Sequence, residues 1–344
     1  MEPDLLQRPD MMFYAKLAQR KVGYVAGQME LTSTCGQKCA ACDSWRAHKK
    51  GEITGTFSYE KINDIFQQLN KIPTFEHLSM TGGDPQHWED PTCNANLDTI
   101  LTWLAPTAKF SLQVNTALIV EPNIPLWQKS LSRIRVSLDG VNQATYRIMR
   151  GDDRDPREIL DRMDRLAHPG LATNTCVTDY NIDEVPQIIE ALNKLKNPPR
   201  KAMFLAVMDF KIGDKFWEKY ARLKDIPSHH VETSFQEDVQ GVREFVVSPE
   251  AADIPCYVGG ITFHLKCNGD MYPCCLVGGE AIKTREEMKI GSVHENTIEQ
   301  IQRSYRLFPH YKSCNSPCQK VCQWKQLQIN RLAHAASKVK LTMP

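Results

Sequence analysis

No run of apolar residues in this sequence approaches the roughly 20 that a membrane span requires. The first ten residues, MEPDLLQRPD, lack the apolar core of a signal peptide. A charge excess is missing too: 42 lysines and arginines stand against 41 acidic residues, a net charge of +1, so nothing draws the whole chain toward nucleic acid. There is no internal repeat of solenoid type and no low-complexity segment. These absences leave a globular protein without membrane partners, expected in the cytoplasm, where thiols are kept reduced. One further absence is local. Residues 35–42 read CGQKCAAC, three cysteines in eight residues with no fourth nearby.

Much else is present. The length, 344 residues, points to about two domains, and 42% hydrophobic with 24% charged residues allows a substantial core. Ten of the twelve cysteines fall into two groups, 35–42 and 256–322, which in a reducing compartment reads as metal ligation. Cys93 and Cys176 stand alone, and buried packing is expected for both. In the first group a disulfide would leave one thiol over, and a structural zinc site needs four ligands. Three thiolates with a vacancy suit an iron–sulfur cluster with one iron open to a non-protein ligand. Residues 300–344 carry eight positive charges and no negative one. A solvated basic face is the plain reading, and a phosphate-binding tail the sharper one.

From residue 25 to about 225 strand-like and helical runs alternate. VAGQMELTS, EHLSMTGG, KFSLQVNT, SRIRVSLDG, ATNTCVTDYN and KAMFLAVMDF read as six strands, each followed by a helix or helical stretch. SYEKINDIFQQLN places Tyr59, Ile62, Ile65, Phe66 and Leu69 on one helical face, with Ser58 as cap. This rhythm implies parallel βα units in a partial (β/α)6 TIM-like barrel. The rhythm breaks at 225–255, where the boundary is placed. Beyond it, ITFHLKCNGDMYPCC predicts a β-hairpin turning at Asn268-Gly269, both tolerant of positive φ. The expected organisation is an N-terminal segment 1–24, the barrel 25–225, a linker 226–255, a small cysteine-rich α+β domain 256–325 and a basic tail 326–344.

Polar groups gather at the C-terminal ends of the strands, where barrels of this kind carry function. They are Cys35, Cys39 and Cys42; Thr81, Gly82, Gly83, Asp84 and Pro85; Asn115; Ser137, Asp139 and Gly140; Thr178 and Asn181. The paired glycines allow close approach of backbone to a ligand. His229, His230, His264 and His310 have no spacing that marks them as ligands.

With these residues in place the chain resembles the radical S-adenosylmethionine (SAM) enzymes. CGQKCAAC fits their three-cysteine cluster motif and TGGDP their glycine-rich segment, which holds the SAM amino group. VSLDG with YRIMRG looks like their fourth-strand region near the SAM ribose and carboxylate, and VNT matches a third-strand asparagine loosely. The resemblance implies a [4Fe–4S] cluster on Cys35, Cys39 and Cys42, and SAM held by Thr81, Gly82, Gly83, Asp84, Asn115, Ser137, Asp139 and Arg150. Ala41 departs from the usual aromatic residue, which leaves the adenine contact unassigned, with Trp45 the nearby aromatic. One electron from the cluster would cleave SAM and release a 5′-deoxyadenosyl radical.

The second cysteine group resembles the SPASM/twitch extension, which holds auxiliary [4Fe–4S] clusters. Cys274 and Cys275 would point to opposite faces of a strand. Pro317 suits a helix start, which would place Cys318 and Cys322 on one face. One auxiliary cluster is expected on Cys256, Cys274, Cys318 and Cys322, with Cys314 a close substitute; zinc is the alternative. The implied activity is hydrogen abstraction from a peptide or amino-acid-bearing substrate. A nucleoside, DNA base or other small molecule is the alternative, and a non-catalytic iron–sulfur carrier the remote one. An electron donor such as flavodoxin or ferredoxin is the implied partner; nucleic acid is not favoured.

Overall fold

The protein is seen in a computed structural model. It describes residues 16–17, 22–40, 42, 54–206, 214–235, 257–273, 289–305, 329, 332–334 and 336–337. The auxiliary-cluster candidates Cys256, Cys274, Cys314, Cys318 and Cys322 lie outside the described residues, as do Ala41, Trp45, Cys275, Pro317 and most of the basic tail.

The six expected strands are β1 (Ala26–Thr32), β2 (His77–Gly82), β3 (Ser111–Thr116), β4 (Arg133–Ser137), β5 (Leu171–Val177) and β6 (Lys201–Ala206). Each pairs with the next in parallel. Helix α1 (Tyr59–Leu69) starts where Ser58 accepts a hydrogen bond from the Lys61 amide, and it buries Ile62, Ile65, Phe66 and Leu69. Each of those side chains contributes roughly 1.5–3 kcal/mol of burial. The further helices are α2 (Leu97–Trp103), α3 (Ile124–Ser130), α4 (Gln143–Arg150), α5 (Pro156–Leu166), α6 (Val185–Asn193) and α7 (Asp214–Arg222). α3 fills the helical stretch expected after β3, and α4 adds a second helix between β4 and α5.

The parallel pattern runs further than the sequence implies at both ends. β7 (Glu232–Phe235) pairs in parallel with β6, inside the segment 226–255 expected to be a linker. Its four residues, ETSF, are too short and polar to announce a strand. At the other edge, β8 (Thr262–Leu265) lies parallel to β1, and β9 (Asp270–Tyr272) and β10 (Gly291–Ser292) continue antiparallel. The sheet order is β10-β9-β8-β1-β2-β3-β4-β5-β6-β7, so the expected hairpin is an extension of the barrel sheet. In its turn only Gly269 has positive φ, at 89°, and Asn268 does not. The Gly269 amide donates to Lys266 O and the Lys266 amide to Asp270 O, the pattern of a three-residue loop closed by a glycine bulge. α8 (Ile298–Ser304) follows, with Thr297 and Gln300 as a capping box.

Alternation along the strands divides the sheet into two chemistries. Leu78, Met80, Leu112, Val114, Ile134 and Val136 face the helices and form the core. Gln28, Glu30, Ser79, Thr81, Gln113, Asn115, Arg135, Ser137, Asn174 and Cys176 share the opposite face, a polar surface expected of a site rather than a core. No helix among the described residues is long and apolar enough to cross a membrane.

Candidate functional site

The loop after β1 is shaped by backbone contacts from two sides. On one side is the β2 end. The Gly83 amide donates to Thr32 O (2.7 Å) and the Asp84 amide to Thr34 O (2.9 Å). A Cβ on Gly82 or Gly83 would lie 2.3 or 2.0 Å from those same carbonyl oxygens, and Gly82 has φ +137°. The glycines therefore admit the cysteine loop itself, a use the sequence reading gave to a bound ligand. On the other side is the C-terminus of α4. The Lys38 amide donates to Arg150 O and the Ala40 amide to Met149 O, two carbonyls left free where the helix ends at left-handed Gly151.

Held this way, Cys35, Cys39 and Cys42 line one cavity of about 330 Å3. All eight residues expected at SAM line it as well: Thr81, Gly82, Gly83, Asp84, Asn115, Ser137, Asp139 and Arg150. Thr178 and Asn181 do not; they cap the β5 loop, Asn181 donating to Asp139 O and Cys176 O.

Their engagements differ. The Asp84 carboxylate is buried and accepts from the Ala117 and Gln86 amides and the Thr116 hydroxyl. Burial raises its pKa against those bonds. Its oxygens tie β2 to β3, which makes it a framework residue of the cavity. Asn115 donates to Ser79, and Gln113 to both. Arg150 pairs with Asp139 at 2.9 Å, and Asp139 also accepts the Cys176 amide at 2.6 Å.

The thiol trio fits an iron–sulfur cluster by its donor chemistry. Burial pushes the Cys35 thiol up to about 11 and the Cys39 thiol up to about 12. A cation is what would hold them as thiolates at neutral pH, as iron does when it binds sulfur. The cavity's volume and its ring of hydroxyl, amide, carboxylate and guanidinium groups suit a polar cofactor of SAM's kind.

Of the two isolated cysteines, Cys93 is exposed, against the expectation of buried packing, while Cys176 is buried enough to raise its thiol pKa and also lines the cavity. A second polar group escaped the sequence reading. Glu30 is buried on β1 and accepts from Lys266 Nζ (2.6 Å) and pairs with His264 Nε2 (3.1 Å). Burial opposes its charge, but the His264 hydrogen bond and the Lys266 ammonium outweigh it and hold the carboxyl at about 2. Nothing local signals this trio, because Glu30 is more than 230 residues from both of its partners.

Residues 29–192 match the radical SAM superfamily, and residues 256–323 match an iron–sulfur cluster-binding domain of the SPASM type. The chain is 24% identical to a probable GTP 3′,8-cyclase of Archaeoglobus fulgidus over 72% of this chain and 85% of that protein. It is 20% identical to a probable GTP 3′,8-cyclase of Methanocella arvoryzae over 75% and 83%. Among solved structures, Streptococcus suis SuiB bound to S-adenosylmethionine aligns with a TM-score of 0.65 at 14% identity, covering 86% of this chain and 69% of that one. The structure of anSMEcpe with bound AdoMet aligns at 0.55 and 14% identity, covering 91% of this chain and 98% of that one. At such identities the structural likeness concerns the fold. The two family matches imply iron–sulfur clusters and SAM as cofactors. The chain belongs to the radical SAM superfamily and is a radical SAM enzyme with a SPASM-type C-terminal extension.

Proposed function

We propose that the enzyme cleaves SAM reductively at the Cys35/Cys39/Cys42 cavity and abstracts hydrogen from a nucleoside or nucleotide-like small molecule seated on the polar face of the sheet. The cluster and SAM would supply an electron and a 5′-deoxyadenosyl radical. The chain's own residues position and enclose them. Asn115, Ser137, Asp139, Arg150, Thr81 and Gly82 all line the cavity in which SAM would sit.

The observation that carries the substrate reading is the chemistry of the sheet face next to that cavity. Ser79, Gln113, Arg135 and Asn174 lie on the same face as cavity residues Thr81, Asn115, Ser137 and Cys176. Amides, a hydroxyl and a guanidinium offer directional donors and acceptors, which match base edges and sugar hydroxyls better than apolar side chains. The buried Asn174 Oδ1 has no hydrogen-bond partner among the described residues, so one acceptor is available there. The GTP 3′,8-cyclase names of the curated relatives support the same class. A second, auxiliary cluster on four of Cys256, Cys274, Cys314, Cys318 and Cys322 is proposed from the SPASM match.

The test is anaerobic turnover of reconstituted enzyme with SAM and dithionite. A panel of nucleosides and nucleotides is compared with a panel of short peptides. A nucleoside-class compound should raise the rate of 5′-deoxyadenosine formation and yield a product of altered mass. Stimulation by peptides alone would replace the nucleoside reading with the peptide one.

A further inference from the structure

The intervening positions of CGQKCAAC need only form a loop, yet one of them is a buried amide side chain. Gln37 is 1% exposed, and both ends of its amide are used. Its Oε1 accepts from Arg150 Nε at 2.8 Å and Arg150 Nη2 at 2.5 Å. Its Nε2 donates to Tyr146 Oη at 2.9 Å and Asp152 Oδ2 at 3.0 Å. The third face of the guanidinium, Nη1, is held by Asp139. The Arg150 side chain is 11% exposed and lines the cavity with the three thiols.

A carboxylate holds that edge of an arginine with two oxygens. Here one neutral amide oxygen accepts from both Nε and Nη2. The amide orients the cation without adding negative charge, whereas a glutamate at 37 would add a second carboxylate beside that of Asp139, which already pairs with Nη1. Cluster potentials depend on nearby charge and hydrogen bonding: a fixed positive charge favours the more negative, reduced cluster and so raises the potential.

We infer that Gln37 is a positioning residue that fixes the Arg150 guanidinium beside the cysteine trio and, by adding no negative charge to the one Asp139 already brings, keeps the reduction potential of the cluster the trio holds from falling. Gln37 acts through Arg150 and needs no contact with SAM or substrate. The inference is independent of the nucleoside reading, since its readout uses no substrate.

The experiment is an EPR-monitored redox titration of anaerobically reconstituted enzyme, following the signal that responds to SAM. Iron content is measured on every sample. Gln37→Glu preserves shape and adds a negative charge; its midpoint should shift to more negative potential with iron content unchanged. Gln37→Met removes the orienting bonds and should shift the midpoint in the same direction. Arg150→Met should do likewise, and in that background Gln37→Met should add nothing further, because the two residues form one unit. Equal shifts from Gln37→Met with and without Arg150 would overturn the inference, as would an unmoved midpoint in Gln37→Glu. Loss of iron from both Gln37 variants would overturn it too, since the residue would then be holding the loop and not the charge.

Discussion

A Cβ placed on Gly83 would lie 2.0 Å from the carbonyl oxygen of Thr34, the residue that precedes Cys35. The glycine-rich segment and the cysteine loop are therefore one packed unit. Gly83→Ala should displace the backbone ahead of Cys35, and so should lower both SAM affinity and cluster iron. Iron analysis and SAM binding on the same preparation check this. Loss of SAM affinity with full iron would restore the simpler reading, in which the glycine serves only the cofactor.

The trio itself makes a sharper claim. Replacing Cys35, Cys39 and Cys42 with alanine should abolish 5′-deoxyadenosine formation. The fourth cavity thiol, Cys176, sits on β5 across from the loop and is not expected to rescue it. Product analysis by chromatography decides the matter. Residual 5′-deoxyadenosine from the triple variant would remove the trio from its role.

Cys176 gives an independent probe of the cavity. Its thiol is protonated at neutral pH, because burial raises its pKa, so alkylation should be slow at pH 7 and faster at pH 9. With the cluster loaded, SAM should slow it further by filling the space the thiol faces. Mass spectrometry of the Cys176 peptide after iodoacetamide, with and without SAM, reads both effects. No protection by SAM would mean that the cofactor lies elsewhere.

How much of this was legible follows physical lines. The six strands β1–β6 and α1 announced themselves because apolar runs and a 3.6-residue period are local signals. All eight positions that the resemblance assigned to SAM line the cavity; seven lie at or just past strand ends that collect at one rim, and Arg150 ends α4. What failed was non-local or short. β7 is four polar-leaning residues, and α4 is eight. The role of Gly83 depended on which backbone approached it, and Thr34 is 49 positions away. Gln37 carries no local signal, since Arg150, which donates to it, lies 113 positions on. Glu30 reads as an ordinary polar position in a strand, since its partners arrive only when β8 docks on β1.

Metal content bears on the extension. About eight irons per reconstituted chain are expected, four in each of two cubane clusters, and about four in the Cys35/Cys39/Cys42 triple variant. Zinc in the extension would instead give about four irons and one zinc. Elemental analysis of both proteins separates these cases, and a triple variant without iron would eliminate the auxiliary cluster.

The seam between barrel and extension carries its own test. Glu30 on β1 is paired with Lys266 just past β8, both nearly inaccessible to solvent. Removing one partner of a buried pair leaves an uncompensated charge and costs about 3–5 kcal/mol. Lys266→Met should therefore lower stability by that order, and Glu30→Gln added to it should recover much of the loss. The pH dependence has a definite sign. Glu30 is held at about 2, below its ordinary 4.5, so the folded state keeps it ionised where the unfolded chain would protonate it. The resulting stability, about 3 kcal/mol at roughly 1.4 kcal/mol per pH unit, is complete above pH 4.5 and disappears as pH falls toward 2. Denaturant unfolding of the metal-loaded protein is confined to pH 5 and above, where clusters survive. There Glu30→Gln should show a constant deficit relative to wild type across pH 5–8. A deficit that grew or shrank across that window would show that a group other than Glu30 governs the seam.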